Sequence, residues 1–145
     1  MGSSGVHLRG RGDGLVFVGG APGGPEIVLD SDGKAGPSPT QVMLLALAGC
    51  MGVDVRMILD KSRVPLESLE VLIQGERVKD LPRRFRSIRL IYRLRGPREE
   101  DRPKVDRAVE LSREKYCSVL HTMRPDLELD IHVELEERLA DFMKK

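Results

Sequence analysis

From Val42 to Val53 the chain reads VMLLALAGCMGV, twelve residues with no charge and nothing more polar than a thiol. Immediately before it stands GPSPTQ. Ser38 suits a helix cap, Pro39 the first helical position, and Gln41 falls three after the serine to close a capping box. A helix is therefore predicted from about Pro39 to Ser62, with Pro65 marking its end. A helix apolar around its whole circumference must be covered on all sides, as a central helix between a sheet and a partner, and a small monomer offers little such cover. Gly49 and Gly52 each cost about 1 kcal/mol of helix propensity relative to alanine. Together with Ala46 they leave room for another backbone beside Cys50, and Asp54, one turn on, is the first charge on that side.

The rest of the chain is predicted around that helix. Residues 6–18 alternate loosely about the turn GDG at 12–14 and suggest a hairpin. Glycines and prolines from Gly19 to Gly36 punctuate one short strand, Glu26 to Leu29. Downstream, three segments alternate apolar and polar residues as half-buried strands: Leu69–Gln74, Ile88–Arg95 and Leu127–Glu136. Between the last two, Val105, Ala108, Val109, Ser112 and Tyr116 share one helical face that ends near Cys117. The order is short strands, long helix, two strands, helix, strand. It predicts an α/β (α+β) chain of one domain, residues 1–145, with a sheet unlike that of a doubly wound nucleotide fold.

Charge excludes several functions. With 24 basic and 23 acidic residues the net charge is +1, so nothing global attracts nucleic acid or an anionic membrane. Nine basic residues crowd Arg77–Arg98, but the last strand presents Glu128, Asp130, Glu134 and Glu136; if the strands are neighbours, the two sets pair. No aromatics interleave the arginines to stack on bases. Glycines 10, 12 and 14 lack the strand and helix of a dinucleotide loop. The apolar run is shorter than the roughly 20 residues a membrane span needs, and MGSSGV has no signal-peptide core, so a cytoplasmic protein is expected. His7 and His132 read as surface residues, and Cys117 with His121 alone makes a poor metal site. Neither metal nor cofactor is expected.

Two cysteines 67 positions apart are too few for a secreted disulfide scaffold. Cys50 in an apolar helix is either an inert small hydrophobe or a thiol given space by its glycines. Cys117, in EKYCSV at a helix end, sits where the helix dipole opposes a thiolate and suits a resolving thiol better than an attacking one.

GPSPTQVMLLALAGCMGVDVRMIL followed far downstream by LSREKYCSV resembles the OsmC/Ohr family of osmotically inducible and organic hydroperoxide resistance proteins, in its OsmC-like branch. The resemblance implies an intertwined homodimer whose long central helices are enclosed by antiparallel-rich sheets from both chains, with two thiol sites. It further implies that Cys50 attacks an organic hydroperoxide and becomes a sulfenic acid, that Cys117 condenses with it to a disulfide, and that a dithiol, lipoyl-type in some members, restores the pair. The family's hydroperoxide reductases also pair a glutamate, ten residues before the attacking cysteine, with an arginine from the amino-terminal strands. Here Thr40 stands at the glutamate position, and Arg9 or Arg11 is the corresponding arginine. Two other classes remain open: a module binding a small apolar ligand, and a structural dimer without peroxidase activity.

Overall fold

Strict alternation of apolar and charged residues obliges the second half of the chain to form a sheet with one dry face, and the long helix after GPS packs its buried residues into the same core. The computed structural model describes residues 2–12, 14–137, 141 and 143–144. These fall into two compact units, Met1–Met43 and Leu44–Lys145.

The first unit is an antiparallel sheet in the order β1 (His7–Gly10), β2 (Val16–Gly20), β3 (Glu26–Asp30). The expected hairpin is β1–β2, with His7 opposite Gly20 and Gly10 opposite Phe17. Its turn contains Gly12 and Gly14, both at positive φ; Asp13 lies outside the described residues. Beyond β3 the Asp30 carboxylate accepts the backbone N–H groups of Asp32, Lys34 and Ala35, which hold its pKa below the ordinary carboxylate value. That turn leads to the capping box read in the sequence. Ser38 N–H donates to Gln41 Oε1 at 2.9 Å, and Gln41 N–H donates back to Ser38 Oγ at 3.3 Å.

Helix α1 runs Pro39–Lys61, one residue short of expectation. It ends because Arg63 adopts the left-handed conformation, at φ 57°, and Val64 N–H bonds the Leu59 carbonyl at 3.0 Å. In length and apolarity this 23-residue helix meets the compositional requirement for a membrane span, which the twelve-residue run alone does not. One side of it is spent in the protein core. Leu47, Met51, Val55 and Leu59, at spacings of four, are fully buried.

In the second unit β4 (Ser68–Arg77), β5 (Phe85–Arg95) and β6 (Glu128–Glu136) form a sheet in that order. β4 and β5 are antiparallel, whereas β5 and β6 are parallel, so the sheet is mixed. The parallel pairing requires a crossover, and α2 (Arg102–Leu111) supplies it. Ile88, Leu90, Tyr92 and Leu94 of β5 form the centre of the core, with the α1 residues above and Val105, Ala108 and Val109 of α2.

On the opposite face the charges pair as the alternation required. Arg89 meets Asp130 at 3.8 Å, Arg93 meets Glu134 at 2.9 Å and Arg95 meets Glu136 at 3.1 Å. Exposed pairs of this kind add little stability. Their consequence is that Arg89, Arg93 and Arg95 of β5 are each matched by a carboxylate of β6.

The helix expected to run on to Cys117 does not do so regularly. After Leu111 the backbone widens into a π-helical turn, Ser112–Tyr116, and Cys117 then caps a short helix α3, Ser118–Thr122. The widening moves the buried face on by one position: Ser112 and Cys117 are fully buried, whereas Tyr116, expected to share that face, is half exposed, a shift that apolar periodicity cannot reveal.

Gly96, after β5, carries the clearest glycine requirement. Its φ is 118°, and an added Cβ would lie 2.7 Å from Glu67 N and from Pro65 O and 2.9 Å from Leu66 Cα. Gly96→Ala is expected to cost about 2 kcal/mol or more and to lower Tm by roughly 5 °C. A calorimetric melt superimposable on the wild type would contradict that.

Candidate functional site: two thiols and a half-buried acid

Cys50 lies midway along α1, one turn before Asp54, on the border between the buried stripe and solvent. Cys117 is fully buried where the π-helical turn gives way to α3. The two sulfurs and an Asp54 carboxylate oxygen lie within 4.8 Å of one another. Both cysteines are reduced. The pair the sequence singled out is thus brought together across 67 positions, and Asp54, read only as the first charge on that side, joins it.

The surroundings treat the two thiols differently. Burial pushes the Cys50 pKa up, but the backbone N–H of Val119 and the Cys117 thiol and Ser118 hydroxyl outweigh it, while Asp54 opposes them. The net result lies below a thiol's ordinary 9.0. The Ser118 hydroxyl is 3.9 Å from the Cys50 sulfur, within hydrogen-bond reach for sulfur. Cys117 is driven the other way, to about 11, chiefly by burial, which the Leu120 N–H only partly offsets, and then by Cys50 and Asp54. One thiol is therefore disposed to ionise and its neighbour to keep its proton. The asymmetry expected from the end of a helix is present, but its main cause is burial.

Asp54 is itself held. Ser112 Oγ, fully buried, donates to Asp54 Oδ2 at 2.9 Å and so ties α1 to the π-helical turn that precedes Cys117. Among the described residues Asp54 forms no ion pair. The Tyr92 hydroxyl, on the dry side of β5, is buried without a hydrogen-bond partner. Its pKa is raised beyond the ordinary tyrosine range, by burial first and then by Cys117, Asp54 and Cys50. Tyr92 was legible only as one apolar position of an alternating strand. Its signal was being the one residue with a polar tip on that strand's core face.

The other candidates have contacts of their own. His121 Nε2 faces the Arg113 carbonyl at 3.0 Å, and His132 sits on the exposed sheet face, 3.0 Å from Asp130. In the amino-terminal unit Arg9 pairs with Glu26 at 3.1 Å, Arg11 contributes its backbone N–H to Val16 O, and the Thr40 hydroxyl is 3.3 Å from that of Ser38. The glycines flanking Cys50 differ: a Cβ on Gly52 would touch Val71 Cγ2 at 3.6 Å, whereas one on Gly49 would meet nothing within 4 Å.

The family model for OsmC-like protein matches residues 31–132 of this chain. Protein YhfA of Escherichia coli (strain K12) is 41% identical over 108 residues, covering 74% of this chain and 80% of YhfA. A crystal structure of a hypothetical protein from Aquifex aeolicus VF5 superimposes with a TM-score of 0.82 at 29% identity, over 95% of this chain and 99% of that one. The organic hydroperoxide resistance protein OhrB of Bacillus subtilis superimposes with a TM-score of 0.62 at 19% identity, over 91% and 98% of the two chains. This last likeness is one of fold.

Proposed function

Because the chain belongs to the OsmC-like protein family, in a fold shared with organic hydroperoxide resistance proteins, we propose that it is a thiol-dependent peroxidase acting on organic hydroperoxides. The observation that carries this reading is the opposed pair: Cys50 drawn below its ordinary pKa, within 4.8 Å of Cys117 held at about 11. The Cys50 thiolate attacks one peroxide oxygen, the O–O bond breaks, and the alcohol leaves with a proton, giving a sulfenic acid. The Cys117 sulfur then attacks the Cys50 sulfur. Water leaves and a disulfide forms, which a dithiol reductant reopens by exchange.

Hydrogen bonds from Val119 N–H, Cys117 and Ser118 support the thiolate in this chain, where Thr40 occupies the position of the family's glutamate. Keeping Cys117 protonated until a sulfenic acid appears beside it prevents the resolver from competing for the oxidant.

The reading includes a homodimer. Leu45, Val53 and Met57 on the outer side of α1 are each more than half exposed. Together with open Gly49 they form a stripe at spacings of four and eight, opposite the buried one. The cover that an all-apolar helix demands is thus supplied from within the chain on one side only, and a second copy supplies the other.

The test is to expose reduced wild-type protein to one equivalent of an organic hydroperoxide and locate oxidation by mass spectrometry. The expected product is a Cys50–Cys117 disulfide. Its rate of formation rises with pH up to the Cys50 pKa and then levels, because the thiolate is the nucleophile and lies to the alkaline side of that pKa. Cys50 remaining reduced in folded protein under excess hydroperoxide would sink the reading.

A further inference from the structure

We propose that Cys50, Asp54 and Cys117 form a binding site for a soft divalent cation of the zinc class, open only while both cysteines are reduced. In a tetrahedral zinc site, with Zn–S near 2.3 Å and Zn–O near 2.0–2.2 Å, neighbouring donor atoms stand about 3.6–3.8 Å apart. The three donors here already lie within 4.8 Å of one another, so side-chain rotation of about 1 Å closes the set. Their elements are fixed: Cys50 and Asp54 are four apart on one helix, and Ser112 anchors Asp54 to the segment carrying Cys117. Three protein donors leave a fourth position for water, and two sulfurs select zinc or cadmium over magnesium or calcium.

Two further observations point to a bound positive ion. The partly buried Asp54 carboxylate has no cationic partner among the described residues. The Tyr92 hydroxyl, fully buried and unpartnered, has these same three groups as its charged neighbours. A metal-bound water or hydroxide at the fourth position gives that hydroxyl the acceptor it lacks.

Binding displaces the proton of each thiol, up to two per ion, so affinity rises with pH. If the peroxidase reading holds, the cation and the hydroperoxide compete for the same sulfurs. Metal then shields the pair, and disulfide formation expels the metal. This competition rests on that reading; the binding itself does not.

The site is tested by titrating reduced, chelator-washed protein with cobalt(II) and with zinc(II). Expected are one ion per chain, a near-ultraviolet thiolate-to-cobalt charge-transfer band reversed by zinc, and no competition from magnesium. Asp54→Asn weakens binding by about tenfold or more and Cys50→Ala abolishes the band. In the wild type, zinc protects Cys50, the partly exposed thiol, from iodoacetamide, a readout that stands if a cysteine variant fails to fold. Absence of the band and of protection in folded wild-type protein, or a band of equal strength and affinity in folded Asp54→Asn, overturns the assignment. Hydroperoxide consumption measured separately in chelator reports on the peroxidase reading, so either can fail alone.

Discussion

Cys50→Ser is expected to abolish hydroperoxide consumption, whereas Cys117→Ser is expected to permit one oxidation per chain and then stop with a sulfenic acid on Cys50. The two variants are expected to differ because the proposed chemistry gives the two sulfurs different work. A serine at position 50 keeps the shape of the site but replaces an acid that ionises below 9.0 with a hydroxyl that stays protonated, and the rate should fall by at least about a thousandfold. At position 117 the serine leaves the Cys50 thiol in place and removes the chain's other cysteine, whose sulfur lies within 4.8 Å of it. Dimedone labelling followed by mass spectrometry distinguishes them: an adduct on Cys50 in the Cys117 variant and none in the Cys50 variant. Equal turnover in both variants and the wild type would exclude the proposed chemistry.

The second large effect concerns assembly. Val53 lies on the outer stripe of α1, 59% exposed, one turn from Gly49 and from Met57. Burial of aliphatic side chains of this kind contributes about 1.5–3 kcal/mol apiece, and a two-fold interface counts each twice. Val53→Asp would place an unpaired carboxylate in that interface from both chains, at a cost of several kcal/mol. Each 1.4 kcal/mol is tenfold in affinity, so the dimer is expected to weaken by about a hundredfold or more. Sedimentation velocity at micromolar concentration should show wild-type dimer and variant monomer. A wild type that is monomeric and well folded there, or a variant dimer of undiminished affinity, would contradict the proposal.

What the sequence disclosed, it disclosed through periodicity. Period two in Ile88–Arg95 and Leu127–Glu136 identified both strands, and the opposite charges on their wet faces suggested that they are neighbours; which residues pair, Arg93 with Glu134 and Arg95 with Glu136, came from the register. Direction was not legible, because antiparallel and parallel neighbours present the same alternation. The capping box at Ser38 and Gln41 gave the start of α1 to the residue, since it depends on local hydrogen bonds alone. The site was legible in part. Cys50 and Cys117 stood out by type and flanks, but the recruitment of Asp54 by buried Ser112 and the approach of Tyr92 depend on three distant segments meeting. The all-round apolarity of α1 suggested cover on every side, and the chain provides it on one: Leu47 and Val55 are buried while Leu45 and Val53 are open.

The 2.9 Å hydrogen bond from Ser112 to Asp54 acts as a peg beside the thiols. One end is a single helical turn from Cys50, and the other is five residues before Cys117. With α1 held by that bond and by its buried residues, a change in the distance between the sulfurs is expected to fall on the short stretch from Arg113 to Ser118. Because α1 also carries the outer stripe, a change of state at the thiols reaches the rim of the site without loosening the surface on which a second chain would rest. Chemistry and assembly share one helix, yet they answer to different faces of it.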